Sequence, residues 1–226
     1  FFQFDPNTSW IGRPNVACRF CTANFDVMVT HDAEGFRVSR PAPGTTAREV
    51  VWCVGDSGTW GWGVPDGDTY VDVLNQQSRD GTVYCNLGVP GFSSVQEYLL
   101  LKQKFERGEK PDQVVILFCE NDLEENLDPN NHPPRPYLEL TADGPELRNW
   151  PVAGSWSWRA GAWLKNNSRA FNYVDFCFGS IKKSVRDRTR AAGDPETRTA
   201  TPLPPRDELA LGLKAAYGRI KQLCDE

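Results

Sequence analysis

Val50-Val51-Trp52-Cys53-Val54-Gly55-Asp56-Ser57-Gly58-Thr59-Trp60-Gly61-Trp62-Gly63 is an apolar run that breaks into a glycine-rich turn carrying a serine. A short apolar run bounded by turn residues reads as a buried strand. Such a strand hands Ser57 to the turn just beyond the edge of its sheet, which is where open α/β sheets bind ligands. Glycines at 55, 58, 61 and 63 let the backbone bend tightly and leave room for a ligand. An ordinary strand-to-helix turn is the plainer alternative for this string alone.

Two further segments repeat the pattern. Thr82-Val83-Tyr84-Cys85-Asn86-Leu87 runs into Gly88-Val89-Pro90-Gly91-Phe92-Ser93, and Val114-Val115-Ile116-Leu117-Phe118-Cys119 runs into Glu120-Asn121-Asp122. Helical spacing around 69–77 and 94–107 supplies crossovers between the three strands. Alternating strands and helices predict a parallel sheet with helices on both faces. Successive parallel strands end at one edge, so Ser57, Gly91 and Asn121 are expected to be neighbours.

In these blocks the chain resembles the SGNH (GDSL-type) hydrolase superfamily, bacterial members in particular. Gly55-Asp56-Ser57 is similar to the first block of that family, Asn86-Leu87-Gly88-Val89-Pro90-Gly91 to the second, and Cys119-Glu120-Asn121-Asp122 to the third. The likeness extends over roughly residues 25–180 and takes in Gly35-Phe36-Arg37. Cys119 stands where the family usually has glycine. The resemblance implies a three-layer α/β sandwich with a central parallel sheet, of the flavodoxin-like kind. It implies an esterase with Ser57 as nucleophile, and the Gly91 N–H and Asn121 amide as oxyanion donors beside the Ser57 N–H. A serine hydroxyl is a weak nucleophile until a base takes its proton, and each fixed donor to the developing oxyanion is worth roughly 10²–10³ in rate. Asn121 and Asp122 also suit a helix cap after the third strand. Asp56 either braces the turn or also tunes the nucleophile.

The family takes its base from a late Asp-x-x-His block. This chain has two histidines, His31 and His132, and neither lies in such a block. His132 sits in Asp128-Pro129-Asn130-Asn131-His132-Pro133-Pro134, which reads as a solvated loop leaving the third strand. His31 reads as a surface or interdomain residue at a strand end. The resemblance therefore leads to the expectation that these residues are most of a longer chain, incomplete at the C-terminus. A further segment or a partner chain would then supply Asp and His. The third strand is expected at an open edge of the sheet. A non-catalytic binding or scaffolding subunit on the same fold is the alternative function.

Residues 1–46 are expected to form an N-terminal β-rich segment and linker packed on the core, with Asn24–Val29 as a half-buried strand. Residues 47–226 would be the hydrolase-like domain, with a Pro- and Trp-rich insertion at about 128–160 that shows no clear periodicity. Helical spacing marks 163–188 and 206–223, with a polar connection over 191–205.

A formal charge of −5 argues against general nucleic-acid binding. No run approaches the ~18 apolar residues of a membrane span. The residues carry no targeting signal, although similar bacterial proteins often have a leader or anchor upstream, which fits an exported or membrane-associated setting. Seven cysteines include Cys18-Arg19-Phe20-Cys21, a local disulfide or two free thiols without a second pair for zinc. Cys53, Cys85 and Cys119 read as small apolar residues inside or at the ends of buried strands. No metal or cofactor is expected. Eight tryptophans, among them Trp60, Trp62, Trp150, Trp156 and Trp158, suit either core packing or stacking on sugar rings. A small acyl ester or acylated glycan is the expected substrate, by resemblance alone, with carbohydrate deacetylation as the preferred chemistry.

Overall fold

The computed structural model describes residues 1–130, 133–154, 160, 161, 163, 164, 167, 168, 171 and 204–225. Its centre is a parallel sheet of β5 (Glu49–Gly55), β6 (Thr82–Asn86) and β7 (Gln113–Leu117), in the order β6-β5-β7. Before it come β1 (Phe2–Asp5), β2 (Ser9–Gly12), β3 (Ala17–Cys21) and β4 (Asp26–Thr30), paired as two antiparallel hairpins. After it comes a further hairpin, β8 (Tyr137–Thr141) with β9 (Gly144–Arg148). The helices whose bounds lie within the described residues are α1 (Ser57–Trp60), α2 (Tyr70–Gln77), α3 (Ser94–Glu106), α4 (Asp122–Glu125) and α5 (Arg206–Asp225). The protein is thus mixed α/β, with a three-stranded parallel sheet flanked by helices.

Alternation along β5 sets the layers, because successive side chains of a strand point to opposite faces. Trp52 and Val54 join Leu100, Leu101 and Ile220 in the main core under α3 and α5. Val51 and Cys53 pack with Val71 of α2 on the other face. Local sequence explains the helix starts. Thr69 caps α2 in a reciprocal box with Asp72, whose carboxylate also accepts the Thr69 hydroxyl at 2.6 Å.

β7 ends two residues earlier than the apolar run, at Leu117. It lies at the edge of the sheet, with no second strand beside it among the described residues. Val115, Leu117 and Phe118 are each more than two-fifths exposed there. A groove of about 420 Å³ between β7 and α5 is lined by Val114, Ile116, Phe118, Tyr217, Ile220, Lys221 and Cys224.

The insertion differs from expectation, since 137–148 form a regular hairpin closed by Thr141-Ala142-Asp143-Gly144. Pro145 within its second strand hides the pattern, because proline cannot donate to a ladder. The 163–188 helix and the 191–205 connection fall almost entirely outside the described residues, as do Trp156 and Trp158. Cys18 and Cys21 are both free thiols, and no helix among the described residues is long and apolar enough to cross a membrane.

The N-terminal hairpins pack on the core. Phe36 joins the main cluster, Trp10 meets Phe92 edge to face, and Gln96 of α3 donates to the Thr8 carbonyl. Gly12 and Gly35 pass so closely that a Cβ on either would lie within 2.0 Å of the carbonyl oxygen of the other.

Candidate active site

Ser57 opens α1 directly beyond β5. Asp56, buried before it, accepts the Gly58 N–H at 2.9 Å and lies 3.4 Å from the Ser57 hydroxyl. The Asp56 carboxylate thus braces the turn, and Ser57 remains partly exposed. Asn86, at the end of β6, clamps the same turn by donating its amide to the Thr59 carbonyl at 2.7 Å and accepting the Gly88 N–H at 3.0 Å. The β6 loop is also tied to β5 by Val89 N–H on the Gly55 carbonyl. Arg37, fully buried, donates to the carbonyls of Trp60, Gly61 and Val64 and pairs with Asp66. Four acceptors thereby hold the glycine turn after Ser57 in one shape.

Gly91 adopts a left-handed conformation (φ 75°). Trp10 donates its indole N–H to the Pro90 carbonyl at 3.0 Å. Among the described residues, neither the Ser57 nor the Gly91 backbone N–H has a protein acceptor. Asn121 starts α4 but makes no capping bond with its side chain. Its amide donates instead to Glu125 at 3.1 Å, and its second N–H has no acceptor among the described residues. Glu125 also accepts from Arg135 at 2.9 Å, and Arg135 donates to the Gly91 carbonyl at 2.9 Å. Gly91 and Asn121 therefore share one network. Ser57 stands on the adjoining strand end without a direct hydrogen bond to either.

His31 is buried rather than at the surface. It accepts the Trp60 indole N–H on Nε2 at 3.2 Å, and its Nδ1 faces the Arg13 carbonyl at 3.3 Å. A carbonyl can only accept, so Nδ1 carries the proton and the ring is neutral. Burial holds its pKa below the ordinary histidine value. With both nitrogens engaged, His31 is a packing residue. His132 lies outside the described residues.

Behind the strand ends sits a buried acidic pair that the sequence did not announce. Asp122 accepts the Ser94 hydroxyl at 3.1 Å, and burial pushes its carboxyl up to about 7. Glu97 is fully buried, with neither carboxylate oxygen bonded to a described residue. Desolvation, with Asp122 and Asp56 nearby, raises its pKa well above the usual 4.5. The folded protein then holds protons that the unfolded chain releases. Such stability is present at low pH and is lost as pH climbs from the ordinary carboxylate range through the raised values. Glu97→Gln, which stays neutral, is expected to melt above the parent at pH 8, with the gap shrinking at pH 5. Thermal melts at the two pH values check this, and an equal gap at both would remove Glu97 as the cause.

Trp60 is buried among Phe1, Phe2, Phe20 and His31, so its role is packing. Trp62 is half exposed, with Phe20 edge-on at 4.8 Å and Phe25 beside it. Cys119 lies against Asp56, and burial raises its thiol pKa. No cluster of His, Cys, Asp and Glu able to hold a metal occurs among the described residues. Glu125, Arg135 and Trp10 escaped sequence reasoning. The only local hint was a charged residue between prolines at 134–136.

The sequence matches no known protein-family model, and no curated protein matches it.

Proposed function

We propose that this protein is a serine ester hydrolase of the SGNH type, removing small O-acyl groups such as acetyl from a carbohydrate or glycan. The observation that carries the reading is the pair of backbone amides, Ser57 and Gly91, without a protein acceptor among the described residues, at the strand ends beyond which the Asn121 carboxamide also lies. Fixed, unspent donors are what an oxyanion requires.

In the proposed cycle the Ser57 hydroxyl attacks the ester carbonyl and passes its proton to a base. The carbonyl oxygen becomes an anion held by the Ser57 N–H, the Gly91 N–H and the Asn121 amide. Collapse expels the alcohol, which takes a proton from the base, and leaves acyl-Ser57. Water, deprotonated by the same base, then releases the acid and restores the serine. The base is proposed to come from a further segment or a partner chain carrying Asp and His, because neither histidine lies in an Asp-x-x-His block and His31 is spent on Trp60 and Arg13. Trp62 offers a half-exposed indole close to the serine turn for a sugar face.

Asn121→Ala is expected to lower kcat for an aryl acetate by about 10²–10³, with KM little changed. Steady-state kinetics on the two proteins check it. Equal turnover in the variant would take Asn121 out of the site. A binding subunit is the second reading, favoured specifically by the engaged state of His31. It predicts acylated-glycan binding without turnover.

A further inference from the structure

We propose that Arg135 is a positioning residue that sets the two non-serine oxyanion donors together, with Trp10 as its platform. This rests on the ester-hydrolase reading for its chemistry, but the linkage itself stands on geometry. The Arg135 side chain is 8 % exposed and its Nη1 reaches both the Gly91 carbonyl and Glu125, each at 2.9 Å. Glu125 in turn holds the Asn121 amide. A carboxamide left alone can turn its oxygen toward substrate as readily as its nitrogen. A carboxylate on one side forces an N–H to that side and keeps the other N–H pointing away from it. Hydrogen bonds to ionised groups are the strong ones, and here one guanidinium spans both donor loops.

Trp10 completes the frame from the N-terminal segment. Its indole bonds the Pro90 carbonyl, and the Arg135 guanidinium lies 5.2 Å from its ring. The Pro90 carbonyl and the Gly91 N–H belong to one rigid peptide plane and point in opposite directions. Holding the oxygen on Trp10 therefore aims the Gly91 N–H the other way. The contact is close, since a Cβ on Gly91 would meet the Trp10 ring at 3.5 Å. A hairpin that contributes no reacting atom thus fixes where one donor points.

The test uses ¹⁵N-labelled protein together with kinetics on an aryl acetate, for the parent, Arg135→Lys and Glu125→Gln. Glu125→Gln keeps the side-chain shape and serves if the arginine variant does not fold. The expected result is a joint shift of the Gly91 backbone and Asn121 side-chain resonances in each folded variant, with the Asn75 side chain unmoved. In kinetics kcat falls about 10²-fold while KM holds, and Glu125→Gln costs less in an Asn121→Ala background than it does in the parent. Shifts confined to one donor, or a full additional loss in the double variant, would overturn the proposal. If the parent itself turns over no ester, the hydrolase reading fails on its own. The spectra still decide whether Arg135 couples the two donors.

Discussion

Gly88→Ala is expected to lower the melting temperature by roughly 10 °C and to abolish any activity that depends on Ser57. A Cβ at position 88 would stand 2.3 Å from the Trp60 nitrogen, 2.7 Å from the Thr59 carbonyl carbon and 2.8 Å from its Cβ. Two of these atoms are helix backbone and cannot swing aside as a side-chain tip would. Nor can α1 retreat, because Asn86 holds the Thr59 carbonyl, Arg37 holds those of Trp60 and Gly61, and the Trp60 N–H is bonded to Asp56. Overpacking typically costs 1–3 kcal/mol, and a backbone obstacle places this case at about 3 kcal/mol or more. The control is Gly218→Ala in α5, where an added Cβ meets nothing within 4 Å. That change is expected to be neutral or to stabilise by up to about 1 kcal/mol through helix propensity. Calorimetry on the two variants separates close packing from a general intolerance of glycine replacement.

Ser57→Ala is expected to lower the proposed ester turnover by about 10⁴-fold or more, since the proposed acyl-enzyme step loses its nucleophile. Stability should scarcely change. The Ser57 hydroxyl makes one long contact, 3.4 Å from Asp56, and its backbone rather than its side chain takes part in α1. A variant that melts like the parent yet is inert separates catalysis from folding. Retained turnover would remove Ser57 as nucleophile and favour a binding role for the fold.

The sheet and the residues at its strand ends were legible in the sequence because each depends on local pattern. β5, β6 and β7 are short apolar runs closed by turn residues, and Thr69 and Arg206 mark helix starts that the spacing already implied. Ser57 follows the end of β5 by two residues, Asn121 that of β7 by four and Gly91 that of β6 by five. Residues that act across sequence distance left no pattern. Arg135 reaches Gly91 over 44 positions, and Trp10 reaches Pro90 over 80. His31 gave no sign of burial because the Trp60 indole that covers it is 29 positions away. Glu97 falls on a helix where a charged residue ordinarily faces water, and only its complete burial in the fold reveals otherwise. The β8–β9 hairpin was obscured by Pro145, which interrupts the alternation expected of a strand.

Ser57 is proposed to be an acylatable nucleophile beside fixed oxyanion donors. Incubation of the intact protein with a fluorophosphonate, followed by mass spectrometry of its peptides, tests this most directly. One phosphonyl group per chain is expected, on Ser57, with slower labelling in Asn121→Ala. An unlabelled protein, or an adduct on any other residue, would contradict it.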